Sequence, residues 1–190
     1  MKLRFKDVNG NNYPDWENKK LGEIAKISKG KGISKNEIEE NGLYSCIRYG
    51  ELYTQYNENI NLVCSKTNVE PRNHVLSEYG DILIPASGEV AVDLATASVV
   101  NIDNVLIGGD INIVRTKTHS IYLAYYLNNK SKKDIFKLAQ GSSIMHIYPD
   151  SLKKLECAIP KSLEEQEKIG NFFKLQDEVI ELKEELIKNK

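Results

Sequence analysis

The spacing of apolar residues along the chain changes character twice. Residues 1–20 are polar and carry Asn9-Gly10-Asn11-Asn12 and Tyr13-Pro14-Asp15, which predict a loop or an extended arm. In 20–28, Leu21, Ile24 and Ile27 recur every third residue, and so short a run suits a one-turn helix or a bent strand equally. A glycine-punctuated loop, "SKGKGISKN", covers 28–36. Short runs of strand formers follow: "GLYSCIRYGELY" (42–53, with Gly50 as a bulge or turn), "LVCSK", "DILIPAS", "ATASVVNI" and "NVLIGGDINIVRT". Gly, Pro and Asn separate them, as expected of a β-rich body. Asp103-Asn104 reads as a hairpin turn between two of these strands.

Helical spacing takes over at residue 120. Ile121, Tyr122, Leu123, Tyr125, Tyr126 and Leu127 share an apolar face, with Ser120 as the expected N-cap. A second helix over 131–141 presents Ile135, Phe136, Leu138 and Ala139 and stops at Gly141. "GSSIMHIYPDSL" is a loop, and Leu155, Cys157 and Ile159 alternate through a last strand over 153–160. The chain then changes period again. Ser162 and Glu165 have capping-box spacing, and Glu164 and Glu165 suit the positive end of a helix dipole. Phe172, Leu175, Val179, Leu182 and Leu186 are spaced 3, 4, 3, 4, a heptad seam that Phe173, Ile180 and Ile187 widen. A helix from Ser162 to Lys188 would be about 40 Å long at ~1.5 Å per residue. Its apolar stripe needs cover, from its own domain or from a partner helix. The expected fold class is α+β: a β-rich globular body over 1–160 followed by a long coiled-coil-type helix over 161–190.

Composition narrows the functional classes. The chain is 41% hydrophobic and 28% charged, a globular balance. Its apolar runs fall well short of the roughly 20 residues of a membrane span, and the first residues lack the apolar core of a signal peptide. Cys46, Cys64 and Cys157 are too few and too scattered for a disulfide framework, which points to a cytoplasmic setting. Net charge is -1, so any anion-binding surface must be local. Lys26, Lys29, Lys31 and Lys35 form one basic cluster, and Lys130, Lys132, Lys133 and Lys137 a second; solvated surface is the plainer account of both. Catalytic patterns do not fit. "GKGISK" lacks the third glycine and the lysine-threonine pair of a nucleotide loop. Pro14-Asp15 and Glu17-x-Lys19 crowd the letters of a nuclease motif into six residues, too close to share a cation from separate strands. His74, His119 and His146 have no partners at metal-ligand spacing, and "PASGEV" lacks the first glycine of a nucleophile elbow.

Several segments together resemble the specificity subunit of type I restriction-modification enzymes. They are "YPDWENKKLGEIAKISKG", "GDILIPASG", "LAYYLNN" and "GSSIMHIYPDSLKKLECAIPKSLEEQEKIGNFF". The last is the most specific: a Gly-Ser loop, a strand ending in Pro160, then a helix carrying Glu165, Gln166 and Ile169. The resemblance spans roughly 13–187. It implies a non-catalytic DNA-recognition subunit, a target-recognition domain with a spacer helix, which binds no cofactor itself. It also implies methyltransferase partners that use S-adenosylmethionine, and a restriction/translocase subunit that joins for restriction. The family architecture has two recognition domains and two antiparallel helices, whereas this chain carries one of each. A homodimer through the helix would supply the second set and read a gapped inverted repeat; the alternatives are that the chain is one of a split pair or a piece of a longer subunit.

On that reading, Lys29, Lys31, Lys35 and Arg48 are candidates for phosphate contacts. Arg48, Tyr53, Ser87, Glu89, Gln140, Ser143 and His146 are candidates for reading base edges. These rest on residue chemistry and loop position, not on a family motif. Glu165, Gln166, Ile169, Phe172, Leu175, Val179, Leu182 and Leu186 are expected at the dimer or subunit interface. Two other readings use the same residues: an adaptor of the same fold without DNA specificity, and a domain that is catalytic by itself.

Overall fold

The apolar run at 81–85 is buried along its whole length, and the architecture follows from that. The computed structural model describes residues 4–129, 132–141 and 144–189. Its strands are β1 (Glu17–Lys20), β2 (Ala25–Lys29), β3 (Tyr44–Ile47), β4 (Asn59–Ile60), β5 (Ser65–Thr67), β6 (Val75–Leu76), β7 (Asp81–Pro85), β8 (Ser87–Gly88), β9 (Ser98–Val100), β10 (Leu106–Ile107), β11 (Ile111–Thr116), β12 (Met145–His146) and β13 (Glu156–Ile159). Its helices are α1 (Leu21–Ile24), α2 (Glu51–Thr54), α3 (Ala91–Leu94), α4 (Ser120–Asn129), α5 (Lys132–Leu138), α6 (Pro149–Leu152) and α7 (Leu163–Lys188). This is a mixed α+β domain, mostly sheet, followed by a long C-terminal helix.

A five-stranded sheet, β2-β11-β7-β9-β4, forms the centre. Its side chains alternate between two cores, as strand geometry requires. Ile27, Ile82, Ile84, Val99 and Val114 face a core shared with α4 and α7. Leu83, Val100, Ile111 and Ile113 face the other way, toward Ile47, Leu52 and Ile107. Cover on both faces explains why β7 is continuously apolar from Ile82 on rather than alternating. Ile47 and Ile107 belong to a second sheet, β5-β3-β10-β6. Asp81, 1% exposed, closes one end of β7. Its carboxylate accepts from Arg115 Nε and Nη2, both at 2.8 Å.

Four local expectations are corrected. Residues 17–20 are not loop: β1 pairs antiparallel with β13, with Lys19 opposite Cys157. No local signal marks this strand, because its partner lies near the other end of the chain. Asp103-Asn104 is a turn, with Asn104 at φ 63°, but not a hairpin. It carries the chain from β9 in one sheet to β10 in the other. Ser120 is the first residue of α4; the side chain bonding the N-terminal turn belongs to His119, whose Nδ1 accepts from the Tyr122 amide at 3.3 Å. The capping box at Ser162 is half formed. Ser162 accepts from the Glu165 amide, but the Glu165 carboxylate is engaged elsewhere. The ambiguous 20–28 stretch is both alternatives in series, α1 and then β2.

The Glu165 side chain is fully buried, and Arg4 Nε donates to it at 2.7 Å. Trp16 Nε1 donates to its second oxygen at 3.3 Å. Arg4 also bonds the carbonyls of Tyr13 and Pro14, so the N-terminal arm is tied across the start of α7. Gln166 locks the same turn from the other side. Its Nε2 donates to the Pro160 carbonyl at 2.7 Å and its Oε1 accepts from the His119 amide at 2.8 Å. Ile169 joins the main core. One residue on, Gly170 lets α7 lie against α4, since a Cβ there would stand 2.9 Å from the Tyr122 amide nitrogen.

Removing one partner from a buried ion pair leaves an uncompensated charge and typically costs several kcal/mol. The Arg4→Ala variant is therefore expected to lose about 2–4 kcal/mol of unfolding free energy. Urea denaturation of the two proteins checks this, and an unchanged midpoint would show that the arm does not secure α7.

Candidate nucleic-acid interface

A cleft of about 710 Å³ opens where the 30–35 loop, the turn after β3 and the turn before β11 converge. It is lined among others by Lys35, Arg48, Tyr49, Tyr53, Cys64 and Asp110. Glycine builds one wall. The Gly30 amide donates to the Ile111 carbonyl and the Lys31 amide to the Ile107 carbonyl. A Cβ on Gly30 would collide with the Gly108 carbonyl oxygen. The "GKG" of the sequence thus serves a close approach of two backbones. Lys31 and Lys35 project from this loop, exposed. Lys29, at the end of β2, leans toward Asp110 at 3.6 Å.

Arg48 is placed at the cleft but is not a free cation. Its Nε and Nη2 donate to Glu51 Oε1 at 3.2 and 3.1 Å, and its amide donates to Oε2. Glu51 is 6% exposed and also accepts from the Ser65 hydroxyl at 2.6 Å. The Arg-x-x-Glu spacing is the sequence signal for this clamp. The clamp offsets the charge of Arg48 and holds its guanidinium in one orientation. Tyr53 packs against Tyr49 with ring centroids 6.5 Å apart. Partial burial pushes its hydroxyl pKa up, and Tyr49, Asp93 and Glu89 nearby add to this. Glu89 is exposed, just past β8.

A second group forms where β8 meets β12. Ser87, 4% exposed, bonds His146 Nδ1 through its hydroxyl at 2.8 Å. His146 stacks with Tyr148 at 6.3 Å. Gln140 and His146 exchange both backbone hydrogen bonds, at 3.0 and 2.8 Å. The Ser87 bond and the β8–β12 pairing hold His146 to the edge of the body, and Gln140 is held in turn by His146. The structure thus gathers Ser87, Gln140 and His146 in one place, and Lys35, Arg48 and Tyr53 in another. Ser143, and Lys130 of the second basic cluster, lie outside the described residues. Sequence reasoning does not reach Glu51 and Asp110, which set how Arg48 and Lys29 are presented. Among the described residues, no group of three or more His, Cys, Asp and Glu is placed to hold a metal ion, and no helix is long and apolar enough to cross a membrane.

The residues expected at an interface divide. Glu165, Gln166 and Ile169 are buried inside the domain, and the bonds of the Glu165 and Gln166 side chains run to other parts of this chain. Leu175, Val179, Leu182 and Leu186 are 57%, 45%, 60% and 65% exposed, with Phe172 at 39%. The α7 face turned to the body is the other one: Phe173 packs on Tyr125 at 5.5 Å, and Tyr125 donates to Asp177.

Residues 13–189 match the profile of the type I restriction modification DNA specificity domain. Solved structures share the fold at low identity. One is a type I restriction-modification S subunit from M. genitalium, with a TM-score of 0.69 and 20% identity over 99% of this chain and 45% of that one. A second is an HsdS subunit from Thermoanaerobacter tengcongensis, with a TM-score of 0.64 and 20% identity over 90% of this chain and 40% of that one. A third comes from work on complex assembly and conformational transition of the type I R-M system, with a TM-score of 0.68 and 19% identity over 97% of this chain and 44% of that one. The chain thus spans less than half the length of these structures. No curated protein matches it in sequence.

Cys64 is an exposed thiol on the cleft wall. Burial pushes the thiols of Cys46 and Cys157 up to about 11 and about 12, which keeps them protonated and unreactive near neutral pH. A thiol-specific reagent at about pH 7.5, below the usual thiol range, should therefore label Cys64 alone in the native protein and all three cysteines in denaturant. Labelling of two or more sites by mass spectrometry under native conditions would contradict this burial pattern.

Proposed function

Because the chain belongs to the family of type I restriction modification DNA specificity domains, we propose that it reads one half of a bipartite duplex target. In this reading residues 1–160 recognise DNA, while residues 161–190 set spacing and assembly. The observation that carries it is the family match over 13–189; the cleft and the β8–β12 corner supply groups of suitable chemistry. Lys29, Lys31 and Lys35 grip phosphates. Arg48, oriented by Glu51, contacts the backbone or a guanine edge. Tyr53, Ser87, Glu89, Gln140, Ser143 and His146 read base edges from the major groove. Glu89 suits the exocyclic amine of cytosine, and Gln140 suits adenine.

This division assigns no bond-making step to the chain. Methyl transfer belongs to methyltransferase subunits that dock on it and use S-adenosylmethionine, and a restriction subunit joins the same assembly. The outer stripe of α7 pairs with a second helix in coiled-coil fashion, so the helix length sets the gap between the two half-targets. A chain with a local rather than global basic surface relies on these partners for part of its hold on DNA.

Selection of bound duplexes from a random pool, with the chain mixed with its methyltransferase subunit, tests the reading. A gapped motif is expected, and no enrichment would favour the adaptor alternative. The Lys31→Ala/Lys35→Ala variant is expected to weaken duplex binding evenly across sequences. The slope of log K against log salt should fall by about 2, roughly one unit per lost phosphate contact. An unchanged slope would remove this loop from the interface.

A further inference from the structure

The apolar stripe of α7 is open over only part of its length. Upstream, the N-terminal arm already lies on it. Phe5 meets Phe172 edge to face at 6.0 Å. Lys168 Nζ donates to the Lys6 carbonyl at 3.0 Å and to the Tyr13 hydroxyl at 2.9 Å, and Arg4 holds Glu165. From Leu175 onward the stripe is bare. Leu175, Val179, Leu182 and Leu186 are spaced 4, 3, 4. They lie on the side of the helix opposite Gln166, Ile169, Gly170 and Phe173, which face the body, at ~100° per residue.

This geometry selects the direction of a partner helix. In a parallel pair of two copies, both arms would meet at the same end of the seam, where each already occupies the stripe. An antiparallel helix meets the bare segment without displacing an arm. A second copy laid antiparallel matches the apolar layers well: Leu175 faces Leu186 of the second copy, and Val179 faces Leu182. The same register decides the flanks. With Val179 and Leu186 at position a of the heptad and Leu175 and Leu182 at d, Glu178 and Glu185 occupy g, and Gln176 and Lys183 occupy e. Antiparallel pairing sets g against g and e against e. Glu178 would then face Glu185 of the second copy, twice by symmetry, with no cation between them. Lys174 stands 3.9 Å from Glu178 along the same helix and offsets only one of the two. Like charges at such flanks oppose pairing.

Resting on the reading of α7 as an assembly arm, we propose that this stripe receives an antiparallel helix of a second, non-identical chain. That helix carries an apolar a/d seam of its own and Lys or Arg at the two positions facing Glu178 and Glu185. The acidic flank acts as a selector: it admits a basic-flanked helix and disfavours a second copy of this chain.

A single charge reversal separates the arrangements. Glu178→Lys turns both Glu–Glu contacts of the antiparallel self-pair into Lys–Glu contacts. Sedimentation equilibrium of the full chain at about 50 mM salt should show wild-type protein associating weakly and E178K associating about fivefold or more tightly. In a parallel self-pair the same change would set the introduced lysine against Lys183 and weaken association, which would overturn the proposal. A second measurement uses labelled peptides of residues 171–189, one native and one carrying E178K/E185K, titrated with the wild-type chain. The basic-flanked peptide should bind about fivefold or more tightly at about 50 mM salt and lose that advantage at about 1 M. Equal binding, tighter binding of the native peptide, or binding of neither would refute the selector. These readouts do not involve DNA, so their failure leaves the recognition reading to the duplex selection.

Discussion

Glu165, a buried carboxylate, is the point at which the body and the long helix are joined. Arg4 and Trp16 hold it from the N-terminal arm, while its neighbour Gln166 bonds the end of the β13 segment and the residue before α4. Segments far apart in sequence thus meet within one helical turn. A 26-residue helix magnifies any change of angle at its base: at ~1.5 Å per residue its far end lies about 39 Å away. Securing the first turn with buried, directional bonds therefore fixes where the far end points relative to the cleft. A helix attached by a flexible linker would lack that property. Gly170 contributes by letting α4 and α7 approach closely enough for Ile169 to join the core.

Restraint of the same kind shapes the cleft. Two glycine-bearing loops touch through their backbones, so Lys31 and Lys35 project from a wall that is anchored to β10 and β11. Arg48 is restrained further by Glu51. A clamped arginine has less charge to offer a phosphate but loses less conformational freedom on binding. It suits directional contact better than diffuse attraction. The corner at Ser87 and His146 follows the same logic, since a short β pairing and one side-chain bond hold loop residues in place.

Helix α7 has two faces with separate tasks. The inner one continues the core through Ile169 and Phe173. The outer one is bare from Leu175 on, and its acidic flank narrows what can cover it. The arm connects the two, because the residues that secure Glu165 also close the upstream end of the outer stripe.

Much of this is legible in the residue order, for identifiable reasons. The period change at Ser120 and the heptad after Ser162 are local patterns, and they place α4 and α7 correctly. The buried run of β7 and the alternation of β13 are equally plain. Glu165, Gln166 and Ile169 stand out as a motif, but their task is not visible: a motif marks that residues matter, and only their neighbours say for what. The strand at 17–20 carries no local signal because its partner is β13, near the other end of the chain. Asp103-Asn104 reads as a hairpin because sequence shows a turn but not which sheet each flanking strand joins. Arg48 reads as a free cation because its clamp forms only when the chain after β3 turns into α2. Sequence by itself determined the elements whose stabilising contacts lie within a few residues. The tertiary structure decided the pairings, the cleft and the direction of the helix, because those rest on contacts between segments that only folding brings together.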